Sequence, residues 1–138
     1  MKTIFLFWLL GAIDGHAKNF SIFLKAGGRF NLTPVYDVMS AYPIAEKREL
    51  EFHDLKMAMA LKSKNKHYHW KNTLPRHWIA KAHKIDFPKV EMETIIEKSV
   101  AQIDTAIANV SKKLPNEFDD ELADAIFKNL KKAASKFQ

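Results

Sequence analysis

Apolar residues crowd the first stretch of the chain. In residues 1–13, MKTIFLFWLLGAI, only Lys2 and Thr3 break the run. A segment apolar on every side predicts a helix buried all round. It is too short to cross a bilayer. A secretory signal peptide has a similar start, but a cut after Ala17 would follow the polar Asp14-Gly15-His16 and would remove Asp14. Two runs rich in β-branched and aromatic residues come next, Phe20–Lys25 and Arg29–Thr33. They are joined by Ala26-Gly27-Gly28 and predict a β-hairpin. Pro34 ends its second strand. Residues 44–53 are polar and predict a loop. In Asp54–Leu61 the residues Leu55, Met57, Met59 and Leu61 share one side, the period of two of a strand. Lys62–Lys66 predicts a turn and His67–Trp70 a return strand.

From Leu74 onward the period is helical. Pro75 suits a helix start, and Arg76–Ile85 predicts a first helix. After Pro88, the residues Val90, Met92, Ile95, Ile96, Val100, Ile103, Ile107, Val110 and Leu114 follow steps of three and four. They predict one continuous helix stopped by Pro115. A last helix, roughly Asp119–Lys136, carries Leu122, Ile126, Leu130, Ala133, Ala134 and Phe137. Acids lie at its start and lysines at its end, as the helix dipole favours.

A chain of 138 residues predicts one domain, and 47% hydrophobic with 28% charged residues is ordinary for a globular protein. With no cysteine there is neither a disulfide framework nor a thiolate metal site, which fits a reducing cytoplasm. The net charge of +6 permits an acidic partner without requiring one.

Candidate chemistry gathers in residues 11–40. All four glycines lie there. Asp14 is followed five residues later by Asn19, in the loop DGHAKN, and Asp37 follows in PVYDVMS. The predicted hairpin folds its ends together, which brings Asn19 close to Asp37 with Asp14 in the loop leading in. Oxygen-bearing side chains of this kind suit Mg²⁺. The spacing D-x-x-x-x-N is that of a protein-kinase catalytic loop, where the Asp is the base and the Asn a metal ligand. By spacing alone the same residues are common turn formers.

The longer strings DGHAKNFS and LTPVYDVMSAYP resemble the C-terminal part of HipA-family serine/threonine kinases, the toxins of HipA–HipB modules. The resemblance continues through DLKMAMAL (Asp54–Leu61), LPRHW (Leu74–Trp78) and FPKVEM (Phe87–Met92). It implies a mainly α, kinase C-lobe-like domain over residues 1–138, with a small β-hairpin carrying the catalytic loop. It also implies Asp14 as the catalytic base, Asn19 and Asp37 as Mg²⁺ ligands, and ATP as the phosphoryl donor. The acceptor would be a protein Ser or Thr, with glutamyl-tRNA synthetase as the family target. A HipB-like antitoxin would be the partner, and nucleic acid would be met only through it. In ordinary protein kinases a Lys two after the base contacts the γ-phosphate, and His16 stands there in this chain. Lys18 or His16 would take that electrostatic role, or both are plain loop residues. No glycine-rich loop precedes Gly11, and no glycine follows Gly28. The family's N-terminal lobe, with its phosphate-binding loop and lysine, is therefore expected as a missing partner. The alternative is a non-catalytic helical module that binds an antitoxin or another subunit.

Three further features carry expectations. His67 and His69 would share one face of a strand, which zinc could use, though histidines of a surface turn explain them as well. Lys62, Lys64, Lys66 and Lys71, with Tyr68 and Trp70 between them, would form a basic aromatic patch or a solvated tip. Without the other lobe, some of Phe5, Trp8 and Leu9 would stand open, and the chain would self-associate through residues 3–10.

Overall fold

The structure is a computed structural model and describes residues 1–62 and 64–137. It is mainly helical, with two separate two-stranded antiparallel hairpins. Helix α1 (Lys2–Leu9) comes first, then β1 (Ile22–Leu24), β2 (Phe30–Leu32) and the short α2 (Tyr42–Glu46). Strands β3 (Lys56–Lys62) and β4 (Lys66–His69) lead to α3 (Pro75–Lys84), α4 (Lys89–Ala101), α5 (Ile103–Ser111) and α6 (Asp120–Ala134). No helix among the described residues is long and apolar enough to cross a membrane.

Helix α1 is the centre of the core. Phe5, Trp8 and Leu9 are almost fully buried. The expectation that they stand open fails, and with it the reason for self-association through residues 3–10. Their cover comes from their own chain. Trp8 stacks on Trp70 at 5.5 Å, and Phe137 meets Trp8 edge-on at 5.3 Å. Phe5 takes the edges of Trp78 and Phe137. The two central indoles also exchange hydrogen bonds. Trp8 Nε1 donates to the Trp70 carbonyl at 3.2 Å, and Trp70 Nε1 donates to the Trp8 carbonyl at 2.7 Å. Each indole thus keeps its polar N–H paired while its ring is buried. Lys136 closes this cluster. Its ammonium lies 4.7 Å from the Trp70 ring centre and donates to the Lys71 carbonyl. Burial, then the neighbouring positive charges of Lys132 and Lys71, lowers the Lys136 pKa.

The later elements follow the predicted periods with three differences. The polar stretch 44–53, expected as a loop, is preceded and entered by α2, where Pro43 sits at the helix start. Glu46 at its end accepts from Asn129 at 2.8 Å and pairs with Lys128, and both contacts lower its pKa and clip α2 to α6. The single helix expected from Val90 to Leu114 is broken at Gln102 (φ −89°, ψ −5°), so that α5 turns to pack on α6. Val90 and Val110 then fall outside the buried face, and Val90 is 72% exposed. The β3–β4 register shifts between Lys56 and Leu61. Leu55, Met57 and Leu61 are buried as the alternation requires. Of the Lys62–Lys66 turn, Ser63 lies outside the described residues. Asp119 caps α6, its carboxylate accepting from the N–H groups of Glu121 and Leu122.

The start of helix α3 is held by a histidine in its first turn. The Leu74 N–H donates to His77 Nδ1 at 3.2 Å, and the His77 ring stacks on His67 at 3.7 Å with 11° between planes. Burial, then the charges of His67 and Arg76, lowers the His77 pKa from the ordinary 6.5. The folded chain therefore binds fewer protons here than the unfolded chain. This contribution to stability is complete above pH 6.5 and is lost as pH falls through the depressed value. Urea midpoints measured between about pH 7.5 and 5 should fall accordingly. His77→Asn, whose amide oxygen accepts without titrating, should flatten that slope. An unchanged slope would place the titration elsewhere.

Candidate functional site

Residues 10–19 form a loop held from two sides. Gly11 turns the chain out of α1 at φ +62°, with the Tyr42 ring so close that a Cβ would lie 2.6 Å from it. Tyr42 donates its hydroxyl to the Leu9 carbonyl at 2.8 Å, and burial pushes the pKa of that hydroxyl up. The Ala41 N–H donates to the Gly11 carbonyl, and Ser40 Oγ donates to the Leu10 carbonyl at 2.6 Å. From the opposite side, the Ala58 N–H of β3 donates to the Ile13 carbonyl at 2.9 Å. Gly15 lies against Phe7, where a Cβ would come within 2.3 Å of the ring. Both neighbours of Asp14 are thereby fixed, and the Asp14 side chain itself is exposed.

Asn19 is buried, and each end of its amide makes a hydrogen bond. Its Oδ1 accepts from the His16 N–H at 2.9 Å, and its Nδ2 donates to Asp37 Oδ2 at 3.0 Å. The hairpin thus brings Asn19 and Asp37 into contact, as its closure predicts. Asp37 is exposed and stands in the left-handed region at φ +56°. A residue with a Cβ adopts that backbone at a cost, and such residues concentrate at functional sites. His16 contributes its backbone to Asn19. Its ring Nδ1 is buried and unpaired among the described residues. Lys18 is exposed, and its carbonyl accepts from the Tyr36 hydroxyl at 2.9 Å. That hydroxyl also meets Ser21 Oγ at 2.7 Å. Sequence reading passed over Tyr36 and Ser21. Their only signal is position, one residue before Asp37 and two after Asn19.

The oxygens here fit a metal delivered with its substrate. Mg²⁺ usually takes one or two protein carboxylates and fills its remaining positions with water and phosphate. Among the described residues no group of three His, Cys, Asp or Glu side chains is placed to hold a metal alone. That bears on the histidines also. His67 stacks on His77, while His69 Nδ1 lies 3.3 Å from the His53 carbonyl. The basic patch loses one of its aromatics, because Trp70 is buried in the core and cannot stack on a base.

Beside the site the hairpin is bare. Every residue of β1 and β2 is exposed, and Leu24, Phe30 and Leu32 are 82%, 64% and 65% exposed. Val35 and Met39 extend this apolar surface towards Asp37.

In comparisons with known proteins, the sequence model of the HipA-like C-terminal domain family matches residues 1–107. The fold is similar to that of a chain in the Shewanella oneidensis MR-1 toxin–antitoxin complex of HipA, HipB and operator DNA, with a TM-score of 0.79 and 22% identity. That match covers 97% of this chain and 30% of the Shewanella chain, so the present chain spans under a third of its structural relative. With most of its length under the family model, α1 through the first half of α5, the chain belongs to the HipA-like C-terminal domain family.

Proposed function

We propose that this chain is the catalytic-loop-bearing C-terminal lobe of a HipA-like serine/threonine kinase toxin. The observation that carries this reading is the contact of Asn19 with Asp37 at the closed end of the hairpin, in one loop with Asp14. Asn19 and Asp37 would hold Mg²⁺, which, when bound with ATP, neutralises charge on the phosphates. Asp14, exposed on a loop pinned at both sides, would accept or orient the hydroxyl of a protein Ser or Thr. Glutamyl-tRNA synthetase is the first acceptor to test. Lys18 and His16 lie in the same loop; the Lys18 ammonium would add positive charge near the phosphates, and the His16 ring is the other candidate for that electrostatic role. Most of the benefit in such a site is positioning and electrostatics.

The bare hairpin supports a second part of the reading. Several large apolar side chains exposed together on one hairpin mark a surface that usually meets a partner. We assign it to the lobe that carries the phosphate-binding loop, whether in the same protein or in a separate chain. A HipB-like antitoxin is the further partner, by likeness to the Shewanella complex, and the cytoplasm is the expected compartment.

The same hairpin favours the competing reading, a non-catalytic interaction module. Reconstitution separates the two. The chain is mixed with the N-terminal part of a HipA-like kinase, and Mg·ATP-dependent transfer to protein is followed together with calorimetry of Mg·ATP. Transfer in the mixture and in neither part alone is the expected result. Tight association without nucleotide binding or transfer would establish the module instead.

A further inference from the structure

The segment from Pro34 to Ser40 carries Asp37 but has no regular structure. The ladder of β1 and β2 pairs only Ile22 with Leu32, Phe23 with Asn31 and Leu24 with Phe30. At the turn the Lys25 N–H donates to the Arg29 carbonyl, and at the open end a bond from the Thr33 N–H to the Ser21 carbonyl closes it. The next backbone bond is that of Ala41 to Gly11. Between them, among the described residues, three side chains tie the segment down: Tyr36, Asp37 and Ser40. Asp37 holds Asn19 through one carboxylate oxygen and leaves the other open to a metal, so a single bond of its own is all that fixes it there. Ser40 ties the far end to Leu10. That leaves Tyr36, the residue adjacent to the left-handed backbone of Asp37.

We infer that Tyr36 is a positioning residue of the site, its hydroxyl clasping the hairpin exit to the Asn19 loop so that Asp37 stays opposite Asn19. The hydroxyl donates to the Lys18 carbonyl at 2.9 Å and is left as acceptor for Ser21 Oγ at 2.7 Å. One atom therefore joins the residue before Asn19, the residue two after it and the residue before Asp37. A short, exposed two-stranded hairpin is marginal by itself, so the register of its far end needs this tie. A left-handed residue persists only where its surroundings hold it.

The inference rests on the reading of Asp37 as a metal-holding group, and the test separates the two. Mn²⁺, a spectroscopic stand-in for Mg²⁺, is titrated into the full chain by electron paramagnetic resonance for the wild type, Tyr36→Phe, Ser21→Ala, the double variant and Asp37→Asn. In parallel, the Asn19 side-chain amide resonance is followed without metal. Tyr36→Phe should weaken Mn²⁺ binding on the order of 3- to 10-fold with the domain still folded, as loss of one or two hydrogen bonds predicts. The double variant should add little to Tyr36→Phe, because both remove one clasp. The Asn19 amide resonance should shift in Tyr36→Phe. Wild-type Mn²⁺ affinity in Tyr36→Phe, with loss in Asp37→Asn, would overturn the clasp and leave the metal reading standing. Wild-type affinity in Asp37→Asn would overturn the metal reading. The amide resonance then decides the clasp: a shift in Tyr36→Phe sustains it, and an unmoved resonance ends it.

Discussion

Trp8→Ala is expected to lower the stability of this domain by about 3–5 kcal/mol, the usual cost of emptying a buried aromatic site. Domains of this size have roughly 5–15 kcal/mol in total, so the variant should be unfolded or close to it at 37 °C. Trp8 is 1% exposed and touches the rings of Phe5, Trp70, Trp78 and Phe137. Its loss also leaves the Trp70 carbonyl without the indole donor, and Lys136 with one ring fewer beneath it. The site would go with the core, because Leu9, Leu10 and Gly11 at the end of α1 anchor the loop through Tyr42, Ser40 and Ala41. Urea denaturation is the measurement, with Val90→Ala as the companion. Val90 is 72% exposed, so that change should stay within about 0.5 kcal/mol. A Trp8→Ala midpoint equal to that of Val90→Ala would mean that the aromatic cluster is not the core.

The second large effect concerns chemistry. Under the proposed kinase reading, Asp14→Asn in the chain reassembled with its other lobe should slow phosphoryl transfer by roughly 10²–10⁴-fold, the range for loss of a positioned base. It should do so without unfolding the domain. The Asp14 side chain is exposed and makes no hydrogen bond or ion pair among the described residues. Its two neighbours are held through backbone and packing, which the substitution leaves alone. Asp37→Asn should behave differently, weakening metal and nucleotide binding, because Asp37 is the carboxylate in contact with Asn19. The two variants therefore divide the roles. Equal transfer rates for Asp14→Asn and wild type, with Mg·ATP bound in both, would remove Asp14 from the reaction.

Much of the local structure was legible because its causes are local. Proline at the start of α3, the period of two in β3, the stripe of α6 and the acids at its start all act within a few residues of chain. The approach of Asn19 to Asp37 was legible too, since any hairpin between them closes its ends. Helix α2 was not, because its five residues are too short for a periodic pattern to register. Nor was the break at Gln102, which has no proline or glycine to mark it. Val90 and Val110 fit the stripe and still face out, because a stripe records which residues could be buried, while the neighbouring helix decides how wide the buried face is.

The sequence alone determined that residues 3–10 must be surrounded, since an all-apolar helix has no face to offer water. It also determined that Asp14, Asn19 and Asp37 lie in one loop-and-hairpin unit, through chain connectivity. Tertiary structure decided what surrounds the helix. Phe137 closes over Trp8 from the far end of the chain, and Trp70 and Trp78 come from the middle, so the open face expected on α1 is filled. It also decided that the exposed apolar surface lies on β1 and β2, beside the site. Burial is a property of what folds back onto a segment, and no pattern within the segment encodes its cover. The left-handed backbone at Asp37 and the Tyr36 clasp belong to the same class, since both exist only where two distant stretches of chain meet.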